Sequence, residues 1–374
     1  MTAIDFSRPQ TWAFDEALPL WAERGVDRAY GGFEEELDLE GRAVSVDFKR
    51  TRVAGRQIYV FAHAALLGWT QGAQIADEGV RFLTKSAWLG PAKGWARLVA
   101  RDGRVLDPTP DLYDLAFVLF GLAWHHRLTG HSRSRELALE TIRFIRSRMR
   151  RDGAFVHEFS GSGDHQQNPH MHLLEASIAS AESFGDEVFI ETANELVVLF
   201  RGRFFNGETL AESFDDRWER SSNIVEPGHQ MEWAWILGAY SKLVGVDVHD
   251  DAVALVRFAE RFGVHPESSL TLNQVREDGS IVDAGSRTWP NTERIKAHLA
   301  LFEMGGAQPS AAVNTSLDAL FRHHLGQAPR GLWLERFDEM GRSNSRSSPA
   351  STLYHVFLAF TEILRLKPAL ERNP

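Results

Sequence analysis

The chain carries 15 histidines and no cysteine, so any acid–base or metal chemistry rests on imidazoles and carboxylates. Disulfides, thiolate nucleophiles, zinc fingers and iron–sulfur clusters are excluded together. Three of the histidines recur at matching places: His172 soon after Pro169, His229 after Pro227 and His355 after Pro349. The other proline-led segments also offer a polar group, with Tyr113 and Asp114 after Pro110, Glu232 after Pro227 and Glu293 after Pro290; Arg56 opens an earlier helical run. His229 and Glu232 stand at i, i+3, near enough on one helical face for the carboxylate to accept an imidazole N–H and fix its tautomer. A helix N-terminus disfavours the imidazolium while Glu232 favours it, so a pKa near neutrality, suited to a general acid/base, is expected for His229. His172 and Glu175 share the spacing, and Glu175 fits equally well as a structural partner.

These groups are scattered over three hundred residues, so some repeated architecture must bring them together. Five prolines, Pro110, Pro169, Pro227, Pro290 and Pro349, are spaced 59, 58, 63 and 59 residues apart, and each precedes a helical stretch. A sixth such stretch opens at Thr51, where Ile58, Phe61, Ala62, Ala65, Leu66 and Trp69 follow the helical period. Proline suits a helix start, and Thr, Asn or Ser before it can cap. Between these stretches lie amphipathic ones, such as Ser134 to Arg150, so each of six units reads as a helix pair. Glycine-centred turns at Gly31-Gly32, Asp102-Gly103, Asp152-Gly153, Asn206-Gly207, Asp278-Gly279 and Gly331 predict one small β-hairpin per unit. The proline-led helices are apolar on several faces and their partners on one. That pattern predicts an all-α (α/α)6 barrel, an inner ring of parallel helices within an outer ring. No linker divides it, so residues 1–374 read as one catalytic domain. The N-termini of the inner helices then converge on one pocket, and Tyr113, Trp233 and Trp289 are candidates to stack on the carbon face of a sugar. His125, His126, His323 and His324, late in their helices, and His131, His249 and His265, in loops or outer segments, are expected to be solvated.

Composition narrows the function. With 41 basic and 51 acidic residues the net charge is −10, which argues against a nucleic-acid partner. No apolar run reaches the length of a membrane span, the N-terminus lacks the regions of a signal peptide, and the chain is expected to stay in the cytoplasm. Neither phosphate-cradling glycine motif, G-x-x-x-x-G-K-[ST] or G-x-G-x-x-G, occurs, so nucleotide dependence has no support. A small polar substrate, and a monomer or homodimer, are expected.

Gly55-Arg56-Gln57-Ile58-Tyr59-Val60-Phe61, Asn168-Pro169-His170-Met171-His172-Leu173-Leu174-Glu175-Ala176, Pro227-Gly228-His229-Gln230-Met231-Glu232-Trp233, Trp289-Pro290-Asn291-Thr292-Glu293 and Tyr354-His355 resemble, in order, the N-acylglucosamine 2-epimerase superfamily. The resemblance implies an (α/α)6 barrel and cofactor-free, metal-free proton transfer at sugar carbons 1 and 2. It implies His355 as the base that removes the C2 proton and His229, supported by Glu232, as the second acid/base. It further implies His172, Asn168 and Arg56 as ligands of sugar oxygens, with Arg56 on the enediolate oxyanion, and Tyr113, Trp289 and Glu293 on the pocket wall. Many members carry Trp four residues before that arginine; here it is Arg52, so a stacking platform is missing or replaced by an anion-binding group. Asn168, Met171 and His172 look closer to the mannose and sulfoquinovose isomerases than to the N-acyl sugar epimerases. D-mannose is therefore the first expectation, with D-fructose as the ketose, an epimerase outcome or a C6-anionic sugar as alternatives. Glycoside hydrolysis by paired carboxylates, a metal held by His172, His229, Glu232 and His355, and sugar binding without turnover remain as rivals.

Overall fold

Alternating apolar and amphipathic stretches fold as the repeat requires. The computed structural model describes residues 3–159 and 165–372, and twelve helices lie among them. The six inner helices are α2 (Thr51–Leu66), α4 (Leu112–Thr129), α6 (Gln167–Phe184), α8 (Pro227–Val244), α10 (Thr288–Glu303) and α12 (Ala350–Arg372). Their outer partners are α3 (Gln71–Ala87), α5 (132–149), α7 (187–204), α9 (His249–Phe262) and α11 (310–325); α5, α7 and α11 each end in a π-helical turn. Each inner helix packs on the next, and α12 returns to α2, so the ring closes. No described helix is long and apolar enough to cross a membrane.

The sixth pair is assembled from the two ends of the chain. The outer partner of α12 is α1 (7–24), whose Trp12 meets Phe360 edge-on at 5.5 Å. Trp21 of α1 stacks on Trp333 at 5.4 Å, and both rings are buried. An exposed ion pair, Arg8 to Asp318 at 2.6 Å, crosses the same seam. Such a pair contributes at most about 1 kcal/mol, whereas each large buried side chain contributes roughly 1.5–3 kcal/mol, so the ring is closed by apolar packing. Elsewhere the inner helices approach to backbone contact: a Cβ on Gly55 of α2 would lie 2.2 Å from the Phe117 carbonyl oxygen of α4. Glycine is required there, one residue before Arg56.

Short strands set where each inner helix begins. Phe48–Arg50, just before α2, pairs antiparallel with Leu98–Ala100 of the next unit. The same stitch joins His165–Gln166 to Ser213–Phe214, Ile224–Val225 to Gln274–Arg276, Ser286–Arg287 to Arg336–Phe337 and Ser347–Pro349 to Glu36–Asp38. Before α4 a single bridge, Asp111 with Glu158, takes its place. Ladder hydrogen bonds to a neighbouring unit thus fix the height of each helix start, which is what a site built from six starts needs.

Four sequence expectations change. True hairpins form around Asp102-Gly103, Asp152-Gly153 and Asp278-Gly279. Gly31-Gly32 and Asn206-Gly207 carry only isolated bridges, and Gly331 belongs to a loop packed under α1, with the Trp21 indole donating to its carbonyl oxygen. The prolines lie within the first turn or just ahead of it, but Thr109, Asn168 and Ser348 do not cap; Asp111 caps α4 by accepting from Tyr113 N and Asp114 N. His125 and His324 are buried, bonded to Ser134 Oγ and to the Leu334 carbonyl oxygen, because each lies at a contact between an inner and an outer helix that the pattern alone does not reveal. Trp233 is core, its indole donating to Gln167 Oε1 at 2.6 Å, and stacks on no pocket surface.

Candidate active site

Because the inner helices are parallel, their first turns meet at one mouth of the ring. Arg52, Arg56, Tyr113, Asn168, His172, His229, Glu232, Trp289 and His355 line a single cavity there of about 290 Å³. These nine of the residues singled out from the sequence share one wall. Asp114, Glu175 and Trp233 lie outside it, and so does Glu293. It is wholly buried behind His355 and reaches the cavity only through that imidazole.

Each of the three histidines presents Nδ1 to a glutamate. His172 Nδ1 lies 3.0 Å from Glu175 Oε2, His229 Nδ1 2.8 Å from Glu212 Oε2, and His355 Nδ1 2.8 Å from Glu293 Oε1. A carboxylate acceptor at Nδ1 places the proton there and leaves Nε2 as the reactive nitrogen. The pair expected from i, i+3 spacing on α8 is not made. Glu212 comes from the loop ahead of α8, and also accepts from Gln167 Nε2 and Glu226 N, so a rigid acceptor outcompetes Glu232 for His229. Glu232 instead points inward, its Oε1 unpartnered, 4.0 Å from His172 Nε2 and 3.9 Å from His355 Nδ1. Burial, with Glu293 beside it, pushes the Glu232 carboxyl well above its ordinary range, against the pull of Lys296.

The histidines are tuned in opposite directions. Burial, reinforced by Arg56 and Lys296, holds His355 well below 6.5, and burial brings His172 down to about 4 against the pull of Glu175. Burial also opposes the charge on His229, yet the Glu212 and Glu226 carboxylates prevail and raise it to about 9, not to the neutrality expected from the sequence. At pH 7 the cavity holds a neutral imidazole fit to take a proton and an imidazolium fit to give one. Two titratable groups pushed apart in this way divide the acid and base roles.

The remaining wall orients and polarises. Arg56 donates to Tyr113 Oη at 2.7 Å and to the Ser351 carbonyl oxygen at 3.1 Å, lies 4.1 Å over the Phe117 ring and keeps its buried Nε unpartnered. Asn168 Oδ1 is a buried acceptor with no protein donor. The Trp289 ring sits 5.1 Å from His229 and 5.6 Å from His355, pressed on Gly228, where a Cβ would come within 2.6 Å of the indole. Arg52 is held through Asp114, which accepts from its backbone N–H at 2.7 Å and its guanidinium at 3.2 Å; Asp114 therefore anchors and does not face the cavity. Arg50, Glu226, Arg287, Glu335, Arg336, Ser351 and Thr352 complete the wall and were not singled out from the sequence. Arg50 and Arg287 end the strands that feed α2 and α10, and Arg336 lies on the strand opposite Arg287, a placement only the inter-unit pairing reveals. Glu212 carries no sequence signal, since its partner lies across a loop of irregular length.

Two groups of side chains have metal-ligand proximity among the described residues. Glu232, Glu293 and His355 offer ligand atoms within 4.8 Å of one another, and so do Asp111, His157 and Glu158. In the first, the Lys296 ammonium stands 2.6 Å from Glu293 Oε2 and supplies the positive charge that the carboxylates need. In the second, Asp111 is spent on the α4 cap and Glu158 on Arg97. Neither donor set requires an ion.

The sequence and the fold are similar to those of known proteins. A family model described as N-acylglucosamine 2-epimerase (GlcNAc 2-epimerase) matches residues 31–359. The chain is 32% identical to a mannose-6-phosphate isomerase of Rhizobium meliloti (strain 1021) over 371 residues, 94% of this chain and 95% of that protein. Among solved structures, a D-mannose isomerase superposes with TM-score 0.88 at 20% identity, covering 96% of this chain and 97% of the other. A cellobiose 2-epimerase from Bacillus thermoamylovorans B4167 superposes with TM-score 0.87 at 19% identity, covering 96% and 98%. At those identities the two structures speak for the (α/α)6 fold alone. With its sequence motifs, its ring and the family match in agreement, the chain belongs to the N-acylglucosamine 2-epimerase family, whose members are sugar isomerases and epimerases.

Proposed function

We propose that the protein is a cofactor-free aldose–ketose isomerase that interconverts D-mannose, or a close relative, with the corresponding ketose, D-fructose for mannose itself. One observation carries this: a neutral His355 and a charged His229 face one cavity across Trp289, with Arg56 on the same wall. Imidazolium His229 protonates the ring oxygen as the sugar opens, and the anomeric hydroxyl gives its proton back to the neutral imidazole as O1 becomes the aldehyde oxygen. Nε2 of His355 then takes the C2 proton; the C2–H electron pair forms the C1–C2 double bond, and the aldehyde oxygen becomes an enediolate oxygen that Arg56 stabilises. His355 returns its proton to C1, where the C1–C2 double-bond pair forms the new C1–H bond, while the O2 proton passes to O1 and the O2–H pair closes the C2 carbonyl of the ketose. His172 and Asn168 hold sugar hydroxyls, Tyr113 fixes Arg56, and Trp289 offers its ring to the carbon face. Proton return to the opposite face of C2 would give the epimer, so the outcome rests on which carbon the loaded acid reaches. Residues 1–374 act in this reading as one catalytic domain, because every inner helix contributes to the same wall.

A C6-phosphorylated mannose is the second reading, favoured by Arg50, Arg52, Arg287 and Arg336 on the cavity wall and by the name of the Rhizobium relative, a mannose-6-phosphate isomerase. Arg50 and Arg287 are bound to Glu35 and Glu226, while Arg336 is exposed and makes no side-chain bond among the described residues, so it is the arginine with most capacity left for an anion.

Proton NMR in heavy water tests both readings, with mannose, mannose 6-phosphate, glucose, N-acetylglucosamine and cellobiose. Ketose formation with deuterium at C1 is the expected result. A C2 epimer without ketose would replace isomerisation by epimerisation, reducing-end release from a disaccharide alone would favour hydrolysis, and absence of exchange with every sugar would leave binding only.

A further inference from the structure

Lys296 belongs to none of the motifs above, yet its side chain is wholly buried in the middle of the ring. It follows Glu293 by three residues on α10, with Nζ 2.6 Å from Glu293 Oε2 and 4.0 Å from the centre of the Trp235 ring. An ammonium is rarely taken out of water unless its charge is used. Three buried carboxylates face this interior from three helices: Glu175 on α6, Glu232 on α8 and Glu293 on α10. Glu175 is already engaged by His172 and by the Tyr354 hydroxyl. Glu293 is the bridge, with one oxygen on His355 Nδ1 and the other on Lys296.

That arrangement fixes a choice. A buried glutamate beside a second buried glutamate favours taking a proton, and Glu293 in acid form would donate to His355 and drive the imidazole proton to Nε2. The resulting tautomer has no lone pair for the sugar. Burial holds Glu293 above its ordinary range and the Lys296 charge opposes that push, while the 2.6 Å ion pair fixes one oxygen and leaves the other 2.8 Å from His355 Nδ1.

We propose that Lys296 is a positioning residue for the reaction: its ammonium holds the Glu293 carboxylate as the acceptor for His355 Nδ1–H, which leaves His355 Nε2 as the proton-accepting nitrogen. The role of His355 toward sugar rests on the isomerase reading, while the effect of Lys296 on the imidazole does not. The charged or titratable groups that face His355 are Arg56 on α2, His172 and Glu175 on α6, Glu232 on α8, Glu293 and Lys296 on α10, and Tyr354 on its own helix.

The test uses the full-length protein labelled with 15N-histidine, with the His355 signals assigned from His355→Gln. In the wild type, His355 is expected as the Nδ1–H tautomer from pH 6 to 8. Lys296→Met, which keeps length and removes charge, is expected to move it to the Nε2–H form or to a mixture. In activity, Lys296→Met should lower kcat by about 100-fold with KM within about threefold. Adding Glu293→Gln should recover about tenfold of that loss, because an amide oxygen accepts from Nδ1–H without needing a cation. An unchanged tautomer in Lys296→Met, or a loss confined to melting temperature with kcat and its pH profile intact, overturns the proposal. If Lys296→Met does not fold, the double variant carries the test alone: a kcat no better than that of His355→Gln overturns it. A shifted tautomer in a protein that turns over no sugar would uphold Lys296 and reject the isomerase.

Discussion

The ring has a cavity at each mouth, and the larger one is chemically the quieter. Opposite the site, the last turns of the same inner helices enclose about 520 Å³ lined by Phe120, Trp124, Trp235, Ile236 and Met304 among others. Its charges are paired off: Arg127 with Glu182, and Arg365 with Glu303 and Glu362. The imidazole there, His63, bonds to Tyr59 and is driven by burial to about 3. At the active mouth the space is smaller, but Asn168 Oδ1, Arg56 Nε and Glu232 Oε1 are left without protein partners and the histidines keep Nε2 for substrate. Reactivity follows unspent hydrogen-bonding and titrating capacity, and volume is a poor guide to it.

Exchanging histidines across the two mouths breaks or upholds this contrast most strongly. His355→Asn and His229→Asn should each lower kcat by about 10² to 10⁴-fold with circular dichroism unchanged, whereas His63→Phe at the far mouth should stay within about twofold. A large loss at His63 would mean the far cavity takes part. Arg56→Lys should cost about 10² to 10³-fold in kcat, since a point charge cannot hold Tyr113 and Ser351 and also reach an enediolate. Steady-state kinetics that show only a KM change would remove Arg56 from the transition state.

Titration sharpens the contrast next. His229 must be charged and His355 neutral, so kcat/KM should hold across neutral pH and fall as pH rises through about 9. It should fall again only well on the acid side of 6.5, where His355 protonates. Glu212→Gln keeps an acceptor but removes charge, so the alkaline limb should move down; a limb that stays in place would assign it to another group. Gly55→Ala tests the scaffold, since its Cβ meets the α4 backbone one residue from Arg56: about 1–3 kcal/mol of stability should be lost in denaturant unfolding, together with part of kcat. Arg336→Ala should have the smallest effect, raising KM for mannose 6-phosphate about two- to fivefold and leaving mannose unchanged. Equal effects on both sugars would deny Arg336 a phosphate.

Much of this was legible in the chain. The proline spacing gave six inner helices, and parallel first turns bring residues as distant as Arg56 and His355 to one wall. His172–Glu175 was readable because both lie on one helix, where three residues make neighbours. His229–Glu232 had the same spacing and misled, because Glu212 reached the imidazole from a loop. The closing pair of α1 with α12 was not legible either, since the repeat runs inner helix to outer helix and gives no sign that the first outer helix serves the last unit.

By itself the sequence determined which residues head each inner helix and which chemistry they can perform, because periodicity and helix-start signals are local properties of a chain. Only the tertiary structure decided which carboxylate each histidine meets, and hence which imidazole is charged. Burial and Coulomb interactions depend on distance in space, and Glu212, Glu293 and Lys296 acquire their roles from neighbours that no sequence interval encodes.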